Sequence, residues 1–137
     1  MENPLWGVAL KILHFRGVDI PPTVKIGKNV RFPHNAIGTV IHENTVIEDD
    51  VKIYQGVTIG RSDIYKDPSA DFEGFYVGRG AVLCSGAKIL CKSGTLKIGE
   101  NSVIGANAVL TKSTGKNEIW AGIPAKCVGY RDDLKHE

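Results

Sequence analysis

With 137 residues, 42% of them apolar and 23% charged, and a formal net charge of +2, the chain has the composition of an ordinary globular protein. Its length suits one domain with a real core. Lysines and arginines are scattered, with no run of them and no interleaved aromatics, which argues against a nucleic-acid surface. Cys84, Cys91 and Cys127 are odd in number and lack C-x-x-C spacing, which argues against a disulfide framework or a zinc knuckle and favours a reducing, cytoplasmic setting.

The first segment, LWGVALKILHF, is apolar, but no basic stretch precedes it and no small-x-small cleavage site follows it. It is also too short to span a bilayer. Leu5, Val8, Ala9, Ile12 and Leu13 recur at helical spacing, predicting a helix over residues 4–15 that caps the open end of the next element. Lys11 and Arg16 supply its only positive charge, so association with a membrane surface is not expected.

From Ile20 the chain keeps a six-residue beat: IPPTVK IGKNVR, then IHENTV IEDDVK IYQGVT IGRSDI, VGRGAV LCSGAK and IGENSV IGANAV. That period fits neither a helix nor a plain strand. A solenoid of short strands joined by corners accounts for it, with the first aliphatic of each unit pointing inward and three units closing one coil of eighteen residues. Gly27, Gly60, Gly78, Gly99 and Gly105 all stand second in their units, where a corner calls for backbone angles that glycine adopts cheaply. The expected fold is therefore all-β: a parallel β-helix of about five coils from Ile20 to Leu110, stacked at the ~4.8 Å spacing of paired strands. Residues 1–17 form the helical cap, 18–110 the coils and 111–137 a closing segment, whose end YRDDLKHE reads as a short helix or frayed terminus.

Three departures interrupt the beat. Phe32 and Ile41 lie nine residues apart where six would keep register; YKDPSADFEGFY, residues 65–76, reads as an excursion loop returning at Val77; ILCKSGTLK carries three extra residues and reads as a smaller bulge. A solenoid interrupts itself to build something on one face.

Of the four histidines, His14 on the cap and His136 in the tail carry no signal, and His42 reads as an outward, solvated corner. His34 falls within the first break, just after Pro33, where a side chain can be aimed away from the packed wall. Three convergent metal ligands are lacking, so no metal site is expected. The cysteines have no evident basic partner to activate them.

Taken together, VDIPPTVKIGKNVRFPHN, TVIEDDVKIYQGVTIG, SGAKIL, IGANAVLTK and AGIPAK resemble the hexapeptide acyltransferase superfamily, in particular serine O-acetyltransferases and short polysaccharide O-acetyltransferases. The resemblance covers Val18 to Val128 and implies a left-handed coil. In serine acetyltransferases a VDIHP motif supplies an Asp and, fifteen residues on, a DH motif supplies the catalytic His; Asp19 and His34 reproduce both residue types and the spacing. The resemblance further implies acetyl-CoA as acyl donor, contacts to it from Ser85, Ala106, Thr111, Lys112 and Lys126, and a homotrimer with sites between subunits. Two departures bear on the acceptor: Pro33 replaces the acid before the histidine, and the excursion loop lacks the Arg-His pair of serine acetyltransferases. With Tyr65, Phe72, Phe75 and Tyr76 either offering aromatic faces to a sugar or anchoring the loop, the expected acceptor is a sugar or polysaccharide hydroxyl, with serine second and a non-catalytic scaffold third.

Overall fold

In the computed structural model, which describes residues 4–134, the six-residue beat becomes a three-sided stack. The first face carries β2 (Val40–Ile41), β5 (Thr58–Arg61), β8 (Lys88–Cys91) and β11 (Val109–Leu110) in that order. The second carries β1 (Lys25–Ile26), β3 (Thr45–Ile47), β6 (Phe72–Val77) and β9 (Gly94–Ile98). The third carries β4 (Lys52–Ile53), β7 (Val82–Leu83), β10 (Val103–Ile104), β12 (Glu118–Gly122) and β13 (Ala125–Tyr130). Every pairing is parallel except β12 with β13. Isolated bridges from Asp19 to Val40 and from Arg31 to Lys52 add one more rung to the first and third faces.

The beat works by stacking like on like. Ile41, Ile59, Ile89 and Leu110 line the inside of the first face at 1% exposure or less, and Ile53, Leu83 and Ile104 do the same on the third. Each such side chain contributes roughly 1.5–3 kcal/mol by leaving water. Val57, Ala87 and Ala108 fill the narrower gaps beside them, which is why the fifth position of a unit is small or branched.

Four expectations need correction. The second-position glycines do not have positive φ. Most of them are required by close approach: a Cβ on Gly78 would lie 2.8 Å from the Glu100 nitrogen, and one on Gly27 or Gly99 would meet backbone of the next coil closer than any real Cβ. Gly60 is unconstrained in this way, its nearest neighbour being Thr58 Cγ2 at 4.0 Å. Left-handed conformations occur two residues later instead, at Asn29, Asp50, Gly80, Asn101 and Asn117 on one corner and at Gly56, Gly86 and Asn107 on another. Asn, Asp and Gly are the residues that tolerate that region.

The predicted helix is present as α1, Pro4–Phe15, but with a different buried stripe. Leu10 is buried and Trp6 and Leu13 pack against the core, whereas Leu5, Val8 and Ile12 are exposed. The excursion is displaced: the chain leaves at Ser62 and returns as β6 from Phe72, since Phe75, Tyr76 and Val77 pair with Thr45, Val46 and Ile47. The reason is packing, because Phe75 is 3% exposed and belongs to the core. Finally, the stack runs past Leu110. Ile119 and Trp120 pair with Val103 and Ile104, and β13 folds back along β12. The end read as a short helix or frayed terminus begins where β13 stops at Tyr130: residues 131–134 form no helix but irregular chain and a turn, and residues 135–137, including His136, lie outside the described residues.

Candidate functional site

The break at Phe32–Ile41 forms a protruding corner between the third and first faces. Pro33 opens it, and then His34 (φ 60°, ψ 30°), Asn35 (φ 59°, ψ 25°) and Ala36 (φ 56°) adopt left-handed conformations in succession. Each such residue without the freedom of glycine costs roughly 1–2 kcal/mol, less for Asn. The surroundings hold the turn in place: Ala36 is buried, Thr39 N–H donates to Ala36 O at 2.9 Å, and Gly38 N–H donates to Gly17 O at 2.9 Å. The outcome is an exposed His34 imidazole with its ring centroid 6.5 Å from that of Tyr54.

Asp19 sits on the first face, its backbone fixed by Asp19 N–H to Thr39 O and Ile41 N–H to Asp19 O, both 2.9 Å. Its side chain is exposed and lines a hollow of about 560 Å³ with His14, Lys11 and Phe15 of α1 and with Pro21. Within one protomer no hydrogen bond or ion pair joins Asp19 to His34, and neither side chain has a hydrogen-bonded or ionic partner among the described residues. His14, which carried no signal in the sequence, is the histidine beside Asp19 in that hollow.

Below His34 a continuous edge descends the prism. Gly38 stacks on Gly56 with a would-be Cβ 3.7 Å from its Cα, and Gly56 stacks on Gly86 at 3.6 Å. Gly56, Gly86 and Asn107 donate their N–H groups to Ile37, Gln55 and Ser85 oxygens one rung above. Ser85 and Ala106 therefore lie on the same edge as His34. Lys126 continues it: it pairs with Ala121, whose Cβ lies 3.3 Å from the position a Gly105 Cβ would take. Thr111 and Lys112 are exposed at the opposite border of the first face, after β11.

Three features of this region carry little signal in the sequence. Lys88 lies across the first face and its Nζ donates to Gly56 O at 2.9 Å, directly beneath the His34 corner. Gln55 Oε1 is buried on the same edge without a hydrogen-bond partner among the described residues. At the other border, His42 is not a solvated corner: its ring meets Phe72 edge-on at 5.0 Å and Phe75 at 5.8 Å, and Nδ1 accepts the Asn44 N–H at 3.0 Å. Burial, reinforced by Arg61 and partly offset by Glu43, pushes its pKa below the ordinary histidine value.

Arg61 covers the other side of Phe72 at 4.2 Å and grips the buried Asp63 through two hydrogen bonds of 2.9 and 2.8 Å. That bidentate pair, with the Ser69 N–H added at 3.1 Å, holds the Asp63 carboxyl far below the usual range. The excursion is thus a built loop whose two phenylalanines face inward. Phe72 and Phe75 are anchors, leaving Tyr65 as its exposed ring and Tyr76 on the outer surface of the second face.

The cysteines show no sign of activation among the described residues: burial pushes the Cys84 thiol up, Cys91 is buried with its Sγ donating to Ser93 O at 3.1 Å, and the exposed Cys127 Sγ donates to Gly129 O at 3.4 Å. Among the described residues no group of three His, Cys, Asp or Glu side chains could hold a metal ion.

Residues 95–115 match the family model for the hexapeptide repeat of succinyl-transferase. The serine acetyltransferase of Mycobacterium tuberculosis is 40% identical over 116 residues, covering 82% of this chain and 46% of that protein. A solved serine acetyltransferase in complex with cysteine superposes with a TM-score of 0.74 at 35% identity over 93% of this chain and 50% of its own. The chain belongs to the hexapeptide-repeat acyltransferase superfamily. A second structure, the Brucella abortus serine acetyltransferase in complex with coenzyme A, gives a TM-score of 0.69 at 34% identity over 80% of this chain and 40% of its own. This superfamily member thus spans half or less of the length of these relatives. The relatives are named for serine and none of these for a sugar, and of the four aromatic rings that suggested a sugar acceptor Phe72 and Phe75 pack inward while Tyr65 and Tyr76 stay exposed.

Proposed function

We propose that the chain is an acetyl-CoA-dependent O-acetyltransferase acting on the hydroxyl of serine. The observation that supports this most strongly is the His34 corner, a strained turn carrying an exposed imidazole at the head of an edge of small residues, in a chain similar to serine acetyltransferases. Backbone strain of this kind is kept where surrounding structure over-determines it, and such places cluster at active sites.

In this reading neutral His34 accepts the proton of the substrate hydroxyl as its oxygen attacks the acetyl thioester carbon. The thioester bond breaks and coenzyme A leaves as thiolate, which needs no strong acid because thiols ionise near pKa 8.5. Asp19 orients and stabilises the imidazolium as it forms. Since the two do not bond within one protomer, the dyad closes on substrate binding or across a subunit boundary. We accordingly propose a left-handed, five-coil homotrimer, capped by α1, with the site shared between neighbours. The pantetheine arm would run down the His34 edge past Ser85 and Ala106 to Lys126, where Gly56, Ser85, Gly86 and Ala106 are small enough for a chain to approach the backbone. Thr111 and Lys112 would contact the donor from the far border of the first face, and Lys112 and Lys126 would offer cations to its phosphates. Lys88 and Gln55 stand on the wall between.

The test is release of free thiol from acetyl-CoA with serine and with a panel of sugars. Serine-dependent release that disappears in His34→Ala supports the reading. Release with sugars alone returns the acceptor to a carbohydrate, and no release with any acceptor leaves a scaffold.

A further inference from the structure

The third face carries a second constellation, on the corner shared with the second face and away from the His34 edge. A hollow of about 350 Å³ opens there between Arg31, Lys52, Arg79 and Arg131, floored by Gly80 and Val82. We propose that this hollow binds a small phosphate-bearing anion.

The coil itself creates the charge cluster. Arg31 and Lys52 are Cα partners on adjacent rungs, so both side chains leave the wall on the same side, outside the buried Val51 and Ile53. Like charges placed directly opposite one another on neighbouring strands destabilise the pairing. Here nothing offsets them: among the described residues neither side chain has a hydrogen-bonded or ionic partner. Two of the acidic groups nearby are engaged by the other two cations, and Asp50 keeps its charge. Glu100 pairs with Arg79 at 3.0 Å, Asp133 pairs with Arg131, and the Asp50 carboxylate, the one acid lining the hollow, accepts the Asn29 Nδ2–H at 2.8 Å. These contacts also fix two of the cations, since Arg131 further donates to Asn101 O at 3.3 Å, from a side chain only 15% exposed.

Two cations without an ionic partner among the described residues, Arg31 and Lys52, stand beside two guanidiniums held in place by Glu100 and Asp133; they outweigh the single Asp50 carboxylate, and the four side chains together offer donors to an anion with several oxygens. A carboxylate would be satisfied by one guanidinium fork, whereas phosphate oxygens diverge tetrahedrally and can be shared among forks and an ammonium. The volume lies at the lower end of small-molecule pockets, ~300–1,000 Å³, which fits a phosphate or diphosphate group with little else enclosed. The source is either a free phosphate compound or the phosphates of coenzyme A. The proposal stands whether or not serine is acetylated.

Isothermal titration of the full chain with sodium pyrophosphate and with inorganic phosphate, at constant ionic strength, tests it. Saturable one-site binding is expected, weakened at least about tenfold in the Arg31→Gln/Lys52→Gln double variant, which loses two charge-assisted contacts. Both residues lack ionic partners among the described residues, and a thermal melt at or above that of wild type verifies that the variant folds. Lys25→Gln/Lys97→Gln, two cations removed from the outer surface of the second face, is expected to bind as wild type does. Competition by saturating coenzyme A assigns the hollow to the donor's phosphates, and independence from it assigns a separate phosphate compound. No saturable binding by wild type, undiminished binding by the Arg31/Lys52 variant, or equal weakening in the Lys25/Lys97 control overturns the proposal.

Discussion

Two corners of the same prism solve one geometric problem in opposite ways. Between the second and third faces the left-handed position is filled rung after rung by Asn29, Asp50, Gly80, Asn101 and Asn117, the residue types that adopt it at least cost. Between the third and first faces the lower rungs do the same with Gly56, Gly86 and Asn107, but the top rung inserts residues and sets His34, Asn35 and Ala36 left-handed in a row. The first corner shows what stacking alone selects. The second shows stability given up at one place, and the side chain gained there is an exposed imidazole.

The largest effect expected from breaking the regular corner is at Gly99. An alanine there would drive its Cβ into the Gly115 backbone, costing about 1–3 kcal/mol as overpacking does. Gly60→Ala, equivalent in the sequence but facing open space, should stay within ~0.5 kcal/mol of wild type. Urea melts of the two variants separate close approach from backbone angle as the reason for second-position glycine; equal losses would restore the backbone-angle explanation. Next comes Gly80→Ala, which places a Cβ at φ +73° and against Asn101 Oδ1, and should cost at least about 1–2 kcal/mol in the same assay.

A smaller, pH-dependent effect is expected at the foot of the excursion loop. The folded His42 has a lowered pKa, so the unfolded state binds more protons. Its contribution is complete above the ordinary histidine value of about 6.5 and is lost as pH falls from there through the lowered value. Amide-exchange protection factors in residues 62–75, corrected for the intrinsic pH dependence of exchange, should therefore fall between pH 7.5 and 5.5 in wild type and much less in His42→Phe, which keeps the ring packing without the titration. Identical pH dependence in both would remove His42 from the loop's anchorage. Asp63, already far below the usual carboxylate range, should hold Arg61 across that whole interval and release it only in strong acid.

The smallest effect sharpens the contrast most. His34→Asn replaces a poor left-handed residue by a tolerant one, and should raise stability by about 0.5 kcal/mol. A decrease would mean that His34 supports the turn.

How legible this was differs between the two corners for a physical reason. The six-residue beat writes the wall openly, because each inward aliphatic stacks on another, so the three faces and the core around Ile41, Ile59 and Ile89 follow from periodicity. The break near His34 was equally visible as nine residues in place of six. What the beat hides is cross-coil contact: that Gly78 is squeezed by Glu100, that Phe72 and Phe75 turn inward to meet His42, and that Arg61 and Asp63 staple the loop. Those contacts join residues whose separation is set by loop length. The sequence motif placed Asp19 with His34, while one protomer leaves the two side chains unbonded, because a partnership between surface groups leaves no periodic trace.

The central claim is that the strained corner exists to present His34 as a base. Its most direct test is thiol release from acetyl-CoA and serine by wild type and by His34→Asn at pH 7.5, each shown folded by its melt. Loss of general-base catalysis should lower turnover by about 10²–10⁴-fold or more in a variant at least as stable as wild type. Turnover within a few-fold of wild type would contradict the claim.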